Sequence, residues 1–121
     1  MTVKDIASVI EALAPRPLQE DYDNAGLQVG RMDDKVDGVL VCLDVTEAVL
    51  DEAIAKGCNL VVSHHPLIFR GLKRVSDSTY QERCVVKAIK NDIAIYSAHT
   101  NLDNAEGGVN HKIAELIGLK D

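Results

Sequence analysis

The chain has 121 residues, 46% hydrophobic and 26% charged, with 13 Lys+Arg against 19 Asp+Glu and a net charge of −6. A chain of this length buries roughly two-thirds of its unfolded surface, so it needs neither disulfides nor a structural metal to hold a core, and its hydrophobic fraction excludes disorder. The pI near 5.1 argues against a general nucleic-acid or anionic-membrane binder, because both need a basic face to neutralise phosphates.

Three cysteines, Cys42, Cys58 and Cys84, are widely spaced within apolar runs and read as buried thiols in a reducing cytosol. Asp5 and Glu11 interrupt the apolar N-terminal stretch, and nowhere do 18 uncharged apolar residues run together, so a cytoplasmic protein is expected.

Val3, Ile6, Ile10 and Leu13 recur at helical spacing, and Pro15 and Pro17 stop the pattern, which predicts an amphipathic helix over 2–14. The turn-rich segment that follows, with Asp23-Asn24, Gly26 and Gly30, predicts a loop holding one short strand at Leu27–Val29. From residue 37 the pattern alternates. A β-branched strand over 38–43 leads into a helix over 46–56 that Gly57 ends with a left-handed cap. A buried strand follows at 59–63, then a loop from Pro66 to Ser78 and a helix over 79–90 with Tyr80, Val85, Ala88 and Ile89 on one face. A third strand at 93–98 and a helix near 108–117, stopped by Gly118, complete the series. Such alternation implies a single α/β domain over 1–121, three-layer α/β/α, with a mainly parallel sheet covered on both faces.

In an open parallel sheet, ligands bind outside the carboxyl ends of the strands. Strand 38–43 ends at Asp44, strand 59–63 at His64-His65, and strand 93–98 at His99, with Asp103 four residues later. Three of the four histidines and two carboxylates therefore fall on one edge; His111 belongs to the polar side of the last helix.

Neighbouring histidines in a regular strand point to opposite faces, so His64 and His65 serve one site only if the strand has ended. Pro66 favours this, because it holds His65 extended as the chain turns off the sheet. Successive Cα atoms lie about 3.8 Å apart, close to the roughly 3.5–4 Å between paired catalytic metals. Imidazole with carboxylate suits zinc, manganese, iron or cobalt better than calcium. Each residue also has a plainer reading. A histidine at a strand end is often structural, and Asp44 or Thr46 can cap the next helix, Asp44 standing three before Glu47 as a capping box requires. His99 is either a ligand or a partner that orients one. Asp23 and Asn24 shape a turn whose loop can lie over the site.

Arg70, Lys73 and Arg74 form the one local basic cluster, and Gly107-Gly108 precede the last helix. Either element can hold a phosphate or be merely solvated. There is no Walker loop and no GxGxxG, and a thiol mechanism is not expected, because no Cys is placed at the reactive edge.

Asp23-Asn24-Ala25-Gly26-Leu27, Ser63-His64-His65-Pro66-Leu67-Ile68-Phe69 and Ser97-Ala98-His99-Thr100-Asn101-Leu102-Asp103 resemble, in order and spacing, the motifs of the GTP cyclohydrolase I type 2-like proteins, the NGG-interacting-factor-three-like family. The resemblance implies an α/β fold with a dinuclear site for two divalent ions of the zinc, manganese or iron class. It makes His64, His65 and Asp103 metal ligands, places Asn24, Asp44 and His99 as neighbours, and leaves a catalytic shuttling or orienting role to His99. It further implies a toroidal homohexamer and a hydrolase in which metal-activated water opens the imidazole ring of a purine substrate such as GTP; a non-catalytic metal- or nucleotide-binding interaction module is the alternative. Family members are at least twice this length and take a further His and Glu from their C-terminal part, so the chain is expected to be the front portion of a longer protein, weakly metal-binding and inactive alone.

Overall fold

The computed structural model describes residues 1–13 and 24–98. The expected helix over 108–117 lies outside them.

Helix α1 spans Val3–Leu13 and buries Val3, Ile6, Ala7 and Ile10, the i, i+3, i+4, i+7 stripe of an amphipathic helix. Its start is a reciprocal cap: Thr2 N–H donates to Asp5 Oδ2 at 2.9 Å and Asp5 N–H to Thr2 Oγ1 at 3.3 Å. These bonds from Thr2 pull the Asp5 carboxyl below its ordinary range. Four short strands follow in chain order, β1 (Gly26–Val29), β2 (Val39–Cys42), β3 (Leu60–Ser63) and β4 (Ala94–Ser97), with helix α2 (Glu47–Ala55) between β2 and β3 and helix α3 (Tyr80–Lys90) between β3 and β4.

The strands form one sheet in the order β1-β4-β3-β2. β2, β3 and β4 are parallel, in register Val39↔Leu60↔Ala94 through Cys42↔Ser63↔Ser97, and β1 closes one edge antiparallel to β4. One face, with Leu60, Val62, Ala94 and Tyr96, packs on the α1 stripe. The other, with Val61, Ile95 and Val29, packs under Leu50 and Ala53 of α2 and Cys84, Val85 and Ala88 of α3. The result is the expected three-layer α/β/α domain. Tyr96, 1% exposed, donates its hydroxyl to Glu11 Oε2 at 2.8 Å and so ties α1 to the central sheet.

Boundaries and caps follow the local chemistry. Thr46 caps α2 by accepting from Val49 N–H, and Thr79 caps α3 by accepting from Glu82 N–H. Gly57 takes φ +70° beyond α2, as the left-handed cap requires. Two expectations are corrected. Tyr80 and Ile89 are 50% and 59% exposed, because each lies about 90° around α3 from the stripe made by Cys84, Val85 and Ala88. Of the free cysteines only Cys84 is buried; Cys42 and Cys58 are half-buried.

A bulge marks β1. Leu27 pairs with Tyr96 and Val29 with the adjacent Ile95, so Gln28 is an inserted residue. The insertion is what lets Leu27 join one core and Val29 the other. Just beyond, Gly30 has φ +111°, and a Cβ there would stand 2.7 Å from Ala94 Cβ. Among the described residues, no helix is long and apolar enough to cross a membrane.

Candidate functional site

The parallel strands end together at Cys42, Ser63 and Ser97, and the candidate histidines follow directly. β3 has ended before His64. The backbone N–H groups of His64 and His65 still donate to Cys42 O (3.1 Å) and Leu43 O (2.9 Å), while their side chains have left the strand alternation. The two imidazoles lie side by side, with ring centroids 5.1 Å apart and planes tilted by 47°.

Each ring is oriented through Nδ1. His64 Nδ1 lies 3.0 Å from Ala98 O. A carbonyl only accepts, so Nδ1 carries the proton and Nε2 the lone pair. His65 Nδ1 lies 2.7 Å from Asp44 Oδ1, and an ionised carboxylate requires the same tautomer. Asp44 is therefore turned toward the histidine. The capping role that its spacing allows belongs to Thr46.

Beneath the rings, two buried hydroxyls fix the backbone. Ser63, 1% exposed, donates from Oγ to His65 O at 2.8 Å, and Ser97, fully buried, donates to His64 O at 3.3 Å. Polar atoms at this depth need partners, and the carbonyls of the histidine pair supply them. From the side, Asn24 Nδ2 donates to Ile68 O at 2.6 Å, and Gln28 Oε1 accepts from Ile68 N–H at 3.1 Å. Gln28 Nε2 also donates to Asn24 O at 2.7 Å, so two amides from the β1 edge hold both backbone groups of one loop residue. Sequence reasoning quoted Ser63 and Ser97 within the family motifs but gave them no role, and it did not mark Gln28. A serine closing an otherwise apolar strand run was the available signal for the first two; nothing local announces a bulge.

Cys42 is the last residue of β2 and stands in register with Ser63, which corrects the expectation that no thiol reaches this edge. Burial, with Asp44 and Glu52 nearby, pushes its thiol up to about 12, so without a bound metal it stays protonated at neutral pH and is a poor nucleophile. Burial also raises the Cys84 thiol.

The structure thus brings together His64, His65 and Asp44, with Asn24 anchoring the adjoining loop. His99, Asp103, His111, Gly107-Gly108 and Asp23 lie outside the described residues. Among the described residues, no group of three or more His, Cys, Asp or Glu is placed to hold a metal ion. The two imidazoles alone fit a borderline divalent ion in donor type, as rings whose Nδ1 atoms are held by oxygen acceptors, the usual support of ligating histidines. Next to the pair, beginning at Pro66, opens a cavity of about 510 Å³ whose walls include Arg70, Lys73 and Arg74.

Fold and site together define a three-layer α/β protein with an oriented imidazole pair on the carboxyl rim of its parallel sheet. The chain belongs to the Duf34/NIF3 (NGG1p interacting factor 3) family, whose model matches residues 1–121. It is 42% identical over 119 residues to the GTP cyclohydrolase 1 type 2 homolog of Clostridium acetobutylicum, covering 98% of this chain and 44% of that protein. With the homolog of Bacillus subtilis the identity is 43% over 118 residues, covering 98% and 32%. The crystal structure of a Bacillus cereus protein related to NIF3 superposes with a TM-score of 0.85 at 46% identity, over 100% of this chain and 33% of that one. Reduced HcgD from Methanocaldococcus jannaschii matches with a TM-score of 0.81 at 35% identity, over 100% and 48%. The chain therefore spans less than half the length of these relatives.

Proposed function

We propose that this chain supplies His64 and His65 to the metal site of a hydrolase of the GTP cyclohydrolase type. The supporting observation is the pair of Nδ1 hydrogen bonds, to Ala98 O and Asp44 Oδ1, which orient both rings from one turn of backbone. Asp103 is the proposed third ligand and His99 the proposed proton-handling or orienting group, by their match to the family motif. A bound divalent ion would supply Lewis acidity and bring the pKa of a water toward neutrality. In the reaction, one water adds at purine C8 and the C8–N9 bond breaks, leaving a formylamino group on N7 and an amine on the ribose. Asp44 keeps the His65 proton on Nδ1 throughout, and Ser63 and Ser97 stop the two rings from drifting apart.

The test is the family protein at full length with GTP and each of zinc, manganese and iron(II), followed for the ring-opened product. Turnover that disappears in His64→Ala and Asp103→Ala with the fold intact supports the hydrolase, and near-normal turnover in both refutes it. A second reading, a non-catalytic metal- or nucleotide-binding module of an oligomer, is favoured by the cavity beside the pair, whose walls include Arg70, Lys73 and Arg74. Tight binding without any product would select it.

A further inference from the structure

The sheet has two edges, and they are built differently. β1, at one end of the strand order, is broken by the bulge at Gln28 and followed by Gly30 at φ +111°, so it offers an incoming strand no regular row of bonding groups. β2, at the other end, has neither device. It pairs with β3 residue for residue from Val39↔Leu60 to Cys42↔Ser63. The run 38–43 holds no charge and no proline, the residues that commonly guard an exposed edge. Every residue of β2 is half-buried where those of β3 and β4 are buried, and Leu43, just past its end, is 54% exposed.

The ladder with β3 fixes which backbone groups of β2 face outward. Gly38 O accepts from Leu60 N–H at 3.2 Å and Cys42 O from His64 N–H at 3.1 Å, so residues 38, 40 and 42 bond toward β3, and Val39 and Val41 direct their N–H and C=O groups away from it. Among the described residues these outward groups have no backbone partner. They also stand symmetrically about Leu40. An antiparallel copy of the strand, with a two-fold axis at Leu40, sets Val39 opposite Val41 of the second copy and Val41 opposite its Val39, each pair exchanging both bonds. The same register suits the charges, because Asp37 falls opposite Leu43 of the second copy. A one-residue slip in one direction sets Asp37 opposite Asp44 instead, and in either direction it turns the bonding groups out of line. Asp44 itself is drawn away to His65 Nδ1 at 2.7 Å. The partly covered side chains gain neighbours on both faces: Val39 and Val41 on the α1 side, Leu40 on the α2 and α3 side.

We infer that the free edge of β2 is a self-association surface, on which a second copy of this chain adds its own β2 antiparallel about a two-fold axis at Leu40, joining two four-stranded sheets into one. The contact is isologous and closes on itself, and the bulged β1 edge does not carry it further, so the product is a dimer and not a fibre. It rests on strand register and not on the metal-site reading. Two short strands make a small interface, so a weak dimer is expected, with a Kd on the order of 10–100 µM.

The experiment follows the 121-residue chain by sedimentation velocity from about 1 µM to about 1 mM, with amide hydrogen exchange read by NMR at both ends of that range. A dimer is expected at the upper end, where the Val39 and Val41 amides gain protection while those of Leu40 and Cys42, bonded to β3 in either state, do not change. Val41→Pro removes an outward donor and spares the ladder with β3, so it should stay monomeric with an unaltered circular dichroism spectrum. Leu43→Asp, at an exposed position, sets like charges opposite each other twice in the dimer and should weaken association several-fold, whereas Leu43→Lys, facing Asp37, should strengthen it. If Val41→Pro does not fold, the two Leu43 substitutions carry the test by themselves. A monomer at every concentration, association without new protection at Val39 and Val41, equal effects of Asp and Lys at position 43, or growth past the dimer would each overturn the assignment.

Discussion

Asp44→Ala separates what this carboxylate does for His65 from what its position suggests it does for helix α2. In the structure, Asp44 Oδ1 accepts from His65 Nδ1 at 2.7 Å, with the two side chains 62% and 43% exposed. So exposed a pair contributes less than about 1 kcal/mol to folding, and the melting temperature should barely move. Its effect on cation affinity is larger, since removing the group that orients a ligating histidine typically costs 10–100-fold, about 1.4–2.8 kcal/mol. Without the carboxylate, the His65 proton is released to distribute onto Nε2, the nitrogen needed for ligation. Zinc or manganese titration by calorimetry, alongside long-range 1H–15N spectra of the His65 ring, reads both consequences. Thr46→Ala is the matched control: loss of the α2 cap should cost about 1 kcal/mol of stability and leave cation affinity alone. If Asp44→Ala lowers the melting point as Thr46→Ala does, or leaves affinity and tautomer unchanged, the orienting role is wrong.

Glu82 gives a pH-dependent outcome: hydrogen bonds from Ser76 and Thr79 hold its carboxyl below the usual range, so the stability it contributes is present above about pH 4.3 and is lost as pH falls through the lower folded value. Glu82→Gln should remove that part of the acid-side slope in urea titrations run from pH 3 to 6. Gly30→Ala meets Ala94 Cβ at 2.7 Å on a backbone at φ +111°, and a loss of roughly 2–4 kcal/mol in chemical denaturation is expected. Cys42, with its thiol pushed up to about 12, has a thiolate fraction on the order of 10⁻⁴ at pH 8. Mass spectrometry after brief iodoacetamide treatment should therefore find it unmodified, whereas labelling at the rate of free cysteine would contradict the assignment.

The sheet and its helices were legible because they follow from short-range chemistry. Short apolar runs mark β2, β3 and β4, and the α1 stripe is spaced for one buried face. Helix caps were legible as residue types but not as choices. Asp44 and Thr46 are both good caps, and only the position of His65 after the neighbouring strand decides that Asp44 is drawn elsewhere. The α3 face was misread at Tyr80 and Ile89 because apolar character stood in for angle, and both rim positions tolerate large apolar side chains. The clustering of histidines at the carboxyl rim was foreseeable from strand ends. The tautomers were not, since they depend on Ala98 O, 34 residues after His64, and on Asp44, 21 residues before His65. Gln28 was invisible for a different reason: a bulge is a mismatch between two strands, and one strand read alone does not contain it.

The bulge leaves β1 with a constraint on length as well as on composition. Its surplus residue is the one that reaches out to Ile68, while its neighbours fill opposite cores. Removing a single residue from this outermost strand would mend the ladder with β4 and at the same moment invert one apolar contact and withdraw an amide from the loop behind the histidines. A peripheral, four-residue segment is thereby constrained in its residue count as well as in its side chains.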